Sequence, residues 1–190
     1  MPPRVRITEE MIVGAATEII REKGLEKLNA RAVAEKLGCS TQPVLYCFAT
    51  MEELKRAAYA RADRIHTEYL MDTGPDCDPV LGMGLNYIRF AVEEPRLFRF
   101  LFQSGYAAEN SITEMLDSKE LEPVLAAMQE SLGMDMQKTG EVFLTVALFT
   151  HGYASIIANN GMEFDECLAA THLERAFTGA VLAVGQEDVE

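Results

Sequence analysis

Tryptophan is absent from this chain of 190 residues, and no segment alternates polar and apolar residues as a half-buried β-strand would. Cysteine is sparse and scattered, at Cys39, Cys47, Cys77 and Cys167, with no CxxC pair. That spacing argues against a disulfide framework or a structural zinc site and suits a reducing interior. The opening MPPRVRITEE lacks the apolar core of a secretion signal, and no stretch is expected to reach membrane-spanning length. These absences predict a cytoplasmic protein with no membrane partner. Phosphate loops, nucleophile–base motifs and paired carboxylates are missing too. His66, His151 and His172 show no metal spacing with each other or with cysteine. His151, within an apolar helix, reads as a hydrogen-bonded core or interface residue. No enzyme, cofactor or metal follows from the sequence.

What is present is ordinary globular material: 48% apolar, 25% charged, with 13 Gly and 7 Pro. Ten Met residues suit an adaptable helical core or pocket. The net charge of −13 alone argues against nucleic acid, but it is unevenly spread. Residues 1–66 carry eleven Lys/Arg against nine Asp/Glu, whereas residues 67–190 carry six against twenty-one. A mildly basic front joined to an acidic remainder fits a two-part protein whose front alone meets phosphate. A merely solvated acidic surface has the same signature.

Helical periodicity fills the chain. Thr8 caps a helix whose Ile12, Ala15, Ala16, Ile19 and Ile20 share one face, and Gly24 stops it. Asn29 caps a short second helix with Val33, Ala34 and Leu37 inward, ended by Gly38. Ser40 is placed to cap a third helix with Pro43 in its first turn. Thr50 and Glu53 form a capping box for a fourth, extending to about Asp72. The segment DTGPDCDP, 72–79, is the clearest break and the expected hinge. Further helices are predicted at 79–94, 95–103, within 112–132, from Asp135 to Asn160, and from Asp165 to about Val184, with a loop near 104–111. The expectation is an all-α protein of about nine helices. Residues 1–50 would form a three-helix domain, helix 51–72 would connect, and 73–190 would form a second helical domain.

Ala34, Gly38 and Cys39 have helix-turn-helix spacing: a small residue for close packing, a glycine for a left-handed turn, then an apolar seal. Stepping 100° per residue puts Val44, Cys47 and Phe48 on one face of the third helix. Gln42 and Tyr46 lie opposite, with Thr41 and Leu45 flanking. A helix entering the major groove offers its N-terminal residues to base edges and its open N–H groups to phosphate. Gln42 and Thr41 are base-reading types, Pro43 suits a thymine methyl, and the Tyr46 hydroxyl suits a phosphate. A plain helical hairpin with a polar end fits the same spacing.

These residues resemble the N-terminal domain of the tetracycline-repressor (TetR) family of transcription regulators. The likeness is carried by IVGAATEIIREKGLEKLNARAVAEKLGCSTQPVLYCF and the following ATMEELKRA, and covers residues 8 to about 60. It implies a homodimeric repressor, its paired third helices reading a palindromic double-stranded DNA operator until a small-molecule effector releases them. Candidate DNA contacts are then Asn29, Arg31, Ser40, Thr41, Gln42, Pro43, Leu45, Tyr46 and Thr50. For Asn29, a helix-capping role fits equally well. Arg4 and Arg6 could form an arm toward DNA or a loose tail. Three positions depart from the family pattern. Leu45 occupies the place of a phosphate-touching Tyr, Cys47 that of an aromatic or His, and Met51 that of a Lys. They motivate an alternative, an interaction protein that heterodimerises and carries a degenerate reading helix. A thiolate switch at Cys47 lacks neighbouring positive charge.

The helix at 135–160 is apolar on more than one face, so it must be buried on two sides. With the last helix it is expected to build a four-helix interface between two subunits, through Phe149, Tyr153, Ile157, Leu173, Phe177 and Val181. An effector pocket is expected to be lined by Met83, Tyr87, Phe90, Phe98, Phe102 and Met128. Such side chains line most cores as well.

Overall fold

Thr8 opens helix α1, Glu9–Lys23, by accepting a hydrogen bond from the Met11 amide at 3.3 Å. Gly24, at φ 92°, ends it, and a single 3-10 turn, Leu25–Lys27, leads on. Then come α2 (Ala30–Lys36), α3 (Gln42–Cys47), α4 (Met51–Met71), α5 (Pro79–Glu93), α6 (Pro95–Gln103), α7 (Glu122–Leu132), α8 (Met136–Asn160) and α9 (Glu166–Gln186). The computed structural model describes residues 7–74, 79–106, 116, 119 and 121–186. Arg4 and Arg6, Cys77, the centre of the expected hinge at 75–78, and most of 107–120 lie outside the described residues. Among the described residues the fold is all-α, with nine helices and no strand.

The chain gathers into two compact units: Met1–Ile65 with Arg96–Ala107, and His66–Pro95 with Ala108–Glu190. Two sequence expectations shift here. The division falls inside α4 rather than at the 72–79 break, and α6 joins the first unit. The reason is α6 itself, which has a strongly one-sided apolar face and buries Leu97, Phe98, Phe100 and Leu101. Tyr59 of α4 packs edge-on to Phe100, with ring centroids 5.7 Å apart, and donates its hydroxyl to the Leu101 carbonyl at 3.3 Å. Tyr106 donates to Glu52 at 2.8 Å. The rest of this core is Ile12, Ala16, Ile19 and Ile20 of α1, Val33 and Ala34 of α2, Val44, Phe48, and Leu54 and Ala58 of α4. Each fully buried Val, Leu, Ile or Phe in it stabilises by about 1.5–3 kcal/mol before ordering costs, and each Ala by less.

In the second unit α8 is central and packs on α5, α7 and α9. Its start is fixed by Asp135, whose carboxylate accepts from the Lys138 amide at 3.0 Å. Val80, Met83, Val124, Met128, Val142, Val146, Leu173, Ala180 and Val184 interdigitate around it. Close approach of α5 and α9 depends on Gly84, where an added Cβ would lie 2.7 Å from Leu173 Cδ2. By length and composition α8 could cross a bilayer, contrary to the sequence expectation. Here it is the central core helix of its unit, and Thr139 and Thr150 are buried in its flanks.

A buried asparagine ties three helices of this unit. Asn86 of α5 donates from Nδ2 to the carbonyls of Tyr69, Leu70 and Asp72, at 3.2, 3.3 and 3.1 Å. Its Oδ1 accepts from Arg89, which also holds Glu166 of α9. The guanidinium keeps the Glu166 carboxyl below the usual carboxylate range. Asn86 thereby closes the C-terminal end of α4, where carbonyls have no intrahelical donor.

Candidate nucleic-acid interface

The reading head is assembled from α2, a tight turn and α3. Asn29 caps α2 by accepting from the Ala32 amide at 2.9 Å, so its side-chain oxygen is committed to the helix. Leu37 closes α2, and Gly38 follows at φ 64°, a left-handed conformation that side chains rarely adopt. The turn is locked by the Cys39 amide donating to the Ala34 carbonyl at 2.9 Å. Ala34 is buried, which lets the turn lie close over it. The predicted cap at Ser40 is not made. α3 starts two residues later, with Thr41 at its N-cap and no side-chain capping bond. Thr41 already has helical backbone angles, φ −69° and ψ −15°, whereas a capping oxygen requires an extended residue.

Two anchors hold α3 in place: Val44 and Phe48 are buried, at 1% and 7% exposure. The opposite face projects outward. Gln42 is exposed, Leu45 is 57% exposed and Tyr46 is 90% exposed. Thr41, Pro43 and Cys47 are half-buried flanks. Ser40, Thr50, Asn29 and Arg31 are exposed as well. The capping box opening α4 forms as the sequence predicts, with one difference. Glu53 donates its amide to Thr50 Oγ1 at 3.2 Å, but its carboxylate accepts from the Ala49 amide at 2.9 Å, one residue further back.

The six residues expected to line a pocket divide between the two units. Phe98 and Phe102 stack at 4.9 Å on α6 in the first unit, with Phe98 buried and Phe102 partly exposed. Met83, Tyr87, Phe90 and Met128 belong to the second unit. There, Met83 and Met128 sit in the core cluster, while Phe90 packs edge-on to His66 at 4.9 Å. His151 is hydrogen-bonded as the sequence predicts, with partners that the sequence did not name: the Tyr87 hydroxyl meets His151 Nδ1 at 2.8 Å, and His151 Nε2 meets Ser155 Oγ at 3.2 Å. Burial pushes the pKa of His66 down to about 3 and lowers that of His151. A neutral imidazole at His151 suits its place between two hydroxyls.

The expected interface set also divides. Leu173, at 1% exposure, and Ile157 are buried within their own unit, Leu173 because Gly84 makes room for it. Phe149, Phe177 and Val181 are part-buried against the core, and Tyr153 stacks on Phe149. The exposed large apolar residues of these two helices are Met136 at the start of α8, Leu168 and Leu182 on α9, and Leu148 and Ile156 further along α8. Their i, i+4, i+8 spacing with Gly152 on α8 was available in the sequence, but so was that of the buried face. Among the described residues, no group of His, Cys, Asp and Glu is placed to hold a metal ion.

The architecture recurs in solved structures. A TetR-family transcriptional regulator from Streptomyces coelicolor superposes with a TM-score of 0.71 over 94% of this chain and 81% of its own, at 17% identity. The fold is that of the TetR-family regulators. A second TetR from the same organism gives a TM-score of 0.67 at 17% identity, covering 93% of this chain and 98% of its own. A transcriptional regulator from Rhodococcus gives 0.64 at 18%, covering 95% and 97%. No family model and no curated protein matches the sequence. At such identity the likeness establishes architecture, so residue roles in this TetR-like chain must be argued from its own side chains.

Proposed function

We propose that the chain is a cytoplasmic DNA-binding transcriptional regulator and not an enzyme. It would act as a homodimeric repressor, released from a palindromic operator by a small-molecule effector. The observation that carries this reading is the outward presentation of Gln42, Leu45 and Tyr46 by the second helix of a helix-turn-helix. Large, mostly exposed side chains beside a base-reading amide are placed as a groove-reading helix requires. The extent of the TetR-like fold supports it. Ser40, Thr41, Pro43 and Thr50 would flank the groove, with Asn29 and Arg31 toward the backbone.

A second copy would cover the outward apolar positions of α8 and α9, Leu148, Ile156, Leu168 and Leu182, with Phe149, Tyr153, Phe177 and Val181 at the margins. Twofold symmetry would set the two α3 helices about one DNA turn apart. The effector would lie in the second unit near Met83, Tyr87, Phe90 and Met128, with Tyr87, His151 and Ser155 as the polar groups that orient it. It would weaken operator binding by the difference in its own affinity for the two states.

The test is selection of bound sequences from random double-stranded DNA with the purified protein at low salt. A palindrome is expected, and Gln42→Ala is expected to weaken binding to it about ten- to a hundredfold. No enriched sequence would refute the reading. Leu45 and Met51 favour a second one, a heterodimerising protein with a degenerate α3. A purified homodimer bound to a defined operator would remove that alternative.

A further inference from the structure

Resting on that reading, we infer that Gln42 and Leu45 make α3 a reader of A·T pairs. Gln42 pairs with an adenine edge, Leu45 covers a thymine methyl, and α3 reads no guanine. The stretch from Ser40 to Thr50 contains no Lys, Arg, His, Asp or Glu. In the major groove guanine offers two acceptors, met most often by the paired donors of Arg or Lys, and cytosine offers an amino donor met by Asp or Glu. α3 offers neither match. Adenine offers one acceptor, N7, and one donor, the N6 amino group. The Gln42 amide carries the complementary donor and acceptor.

Leu45 supplies the other half. It stands three residues after Gln42, so the two side chains neighbour each other on one helix face, about 5–6 Å apart at Cβ. Base pairs stack at about 3.4 Å, so the two reach the same or an adjacent step. Loose packing of α3 does not explain the 57% exposure of Leu45, because Val44 and Phe48 on either side are buried. An isobutyl group held in water beside a base-reading amide matches the thymine C5-methyl, the apolar feature of the major groove. Surrounding residues separate this from a protein-docking patch. Ser40, Gln42 and Thr50 are exposed and polar, and Ala49 is small, so Leu45 and Tyr46 do not extend into the contiguous apolar area that protein interfaces use. Tyr46, with its hydroxyl at the tip and 90% exposed, reaches phosphate and positions the helix without reading sequence.

The experiment uses the selected operator and copies in which deoxyuridine replaces thymidine, which deletes the methyl and keeps the base pair. Affinity is measured by fluorescence anisotropy for the wild-type chain, Leu45→Ala and Gln42→Ala. Each contacted methyl lost is expected to weaken wild-type binding about fourfold, or about fifteenfold when both halves of a palindrome are changed. Leu45→Ala is expected to bind the thymidine operator as weakly as wild type binds the uridine copy, and to show no further loss on the copy. Gln42→Ala is expected to lose its preference for adenine at one position. Both residues are exposed, so unfolding midpoints should stay unchanged, which separates lost contacts from misfolding. A palindrome whose invariant positions under α3 are G·C, or equal binding of both copies by wild type, overturns this inference and leaves the regulator reading standing. No selected sequence at all overturns both, and capture of a partner protein through Leu45 would then take their place.

Discussion

Replacing Asn86 tests whether one buried amide closes the end of α4. Its Nδ2 lies within 3.3 Å of three carbonyls, those of Tyr69, Leu70 and Asp72, and its side chain is in a residue only 5% exposed. Asn86→Ala leaves those carbonyls without this donor and removes the acceptor for Arg89. Each net hydrogen bond is worth about 1 kcal/mol, and a buried polar group left unsatisfied costs about 1–3 kcal/mol. A surface hollow of about 320 Å³ lined by Tyr69, Asp72, Asn86, Arg89 and Glu93 admits water to part of the site. The expected loss is therefore about 2–3 kcal/mol in all. For a chain of this length that lowers Tm by roughly 4–12 °C. Asn86→Asp should be worse at neutral pH, because a carboxylate would face three carbonyl oxygens with only Arg89 to offset it. Its deficit relative to Asn86→Ala should narrow on acidification, since a protonated carboxyl regains a donor. Circular dichroism is the suitable probe, as the chain has no tryptophan, and the two units are to be checked for separate transitions. An Asn86→Asp protein as stable as wild type at pH 7 would refute the capping role.

The remaining predictions concern titration, packing and assembly. His66 is held neutral, its pKa pushed down to about 3 by burial, whereas in the unfolded chain it titrates near 6.5. The unfolded state then binds the extra proton, so His66 lowers stability as pH falls through about 6.5 toward 3, by up to about 1.4 kcal/mol per pH unit. His66→Phe, still set between Tyr87 and Phe90, should flatten that slope in urea titrations from pH 7 to 5. Gly84→Ala should cost about 1–3 kcal/mol by forcing its methyl against Leu173, and Leu173→Val should recover part of that loss in the double variant. Leu182→Glu should convert a dimer to a monomer in sedimentation and abolish the dependence of the unfolding midpoint on protein concentration, because Leu182 is 60% exposed within its own chain and has its effect through the second copy. A dimer of unchanged affinity would move the proposed interface elsewhere.

Local signals in the sequence proved the most durable. Thr8, Asn29 and the Thr50–Glu53 box act through bonds within a few residues, and each forms in the structure. Ser40 failed for an equally local reason. Thr41 takes helical angles ahead of α3, which no residue-type preference reveals. Longer-range features were less legible. The one-sided apolar face of α6 announces burial but does not name the partner, and Phe98 and Phe102 therefore went to the wrong neighbours. The same holds for α9, where Leu173 and Leu182 are both leucines on an amphipathic helix. Nine residues apart, they lie on opposite faces, and the missing side chain at Gly84, far away in the sequence, leaves the space that Leu173 fills.

The departures of this chain from the family pattern fall on residues with unequal structural duties. Gly24, Gly38 and Phe48, which match, are the turns and the buried anchor that fix where α3 lies. Leu45 and Tyr46, where the tyrosine is displaced by one position, are among the most exposed large side chains of the first unit. Substitution at a buried anchor is felt by the whole core, whereas substitution at an exposed tip changes only what the tip meets. Moving a tyrosine from 45 to 46 rotates it by about 100° around α3 and puts an aliphatic group in its former place. Both positions are exposed, so the exchange leaves the buried anchors Val44 and Phe48 in place. The consequence passes to the ligand of α3, so a change in which bases are favoured is expected before any change in stability.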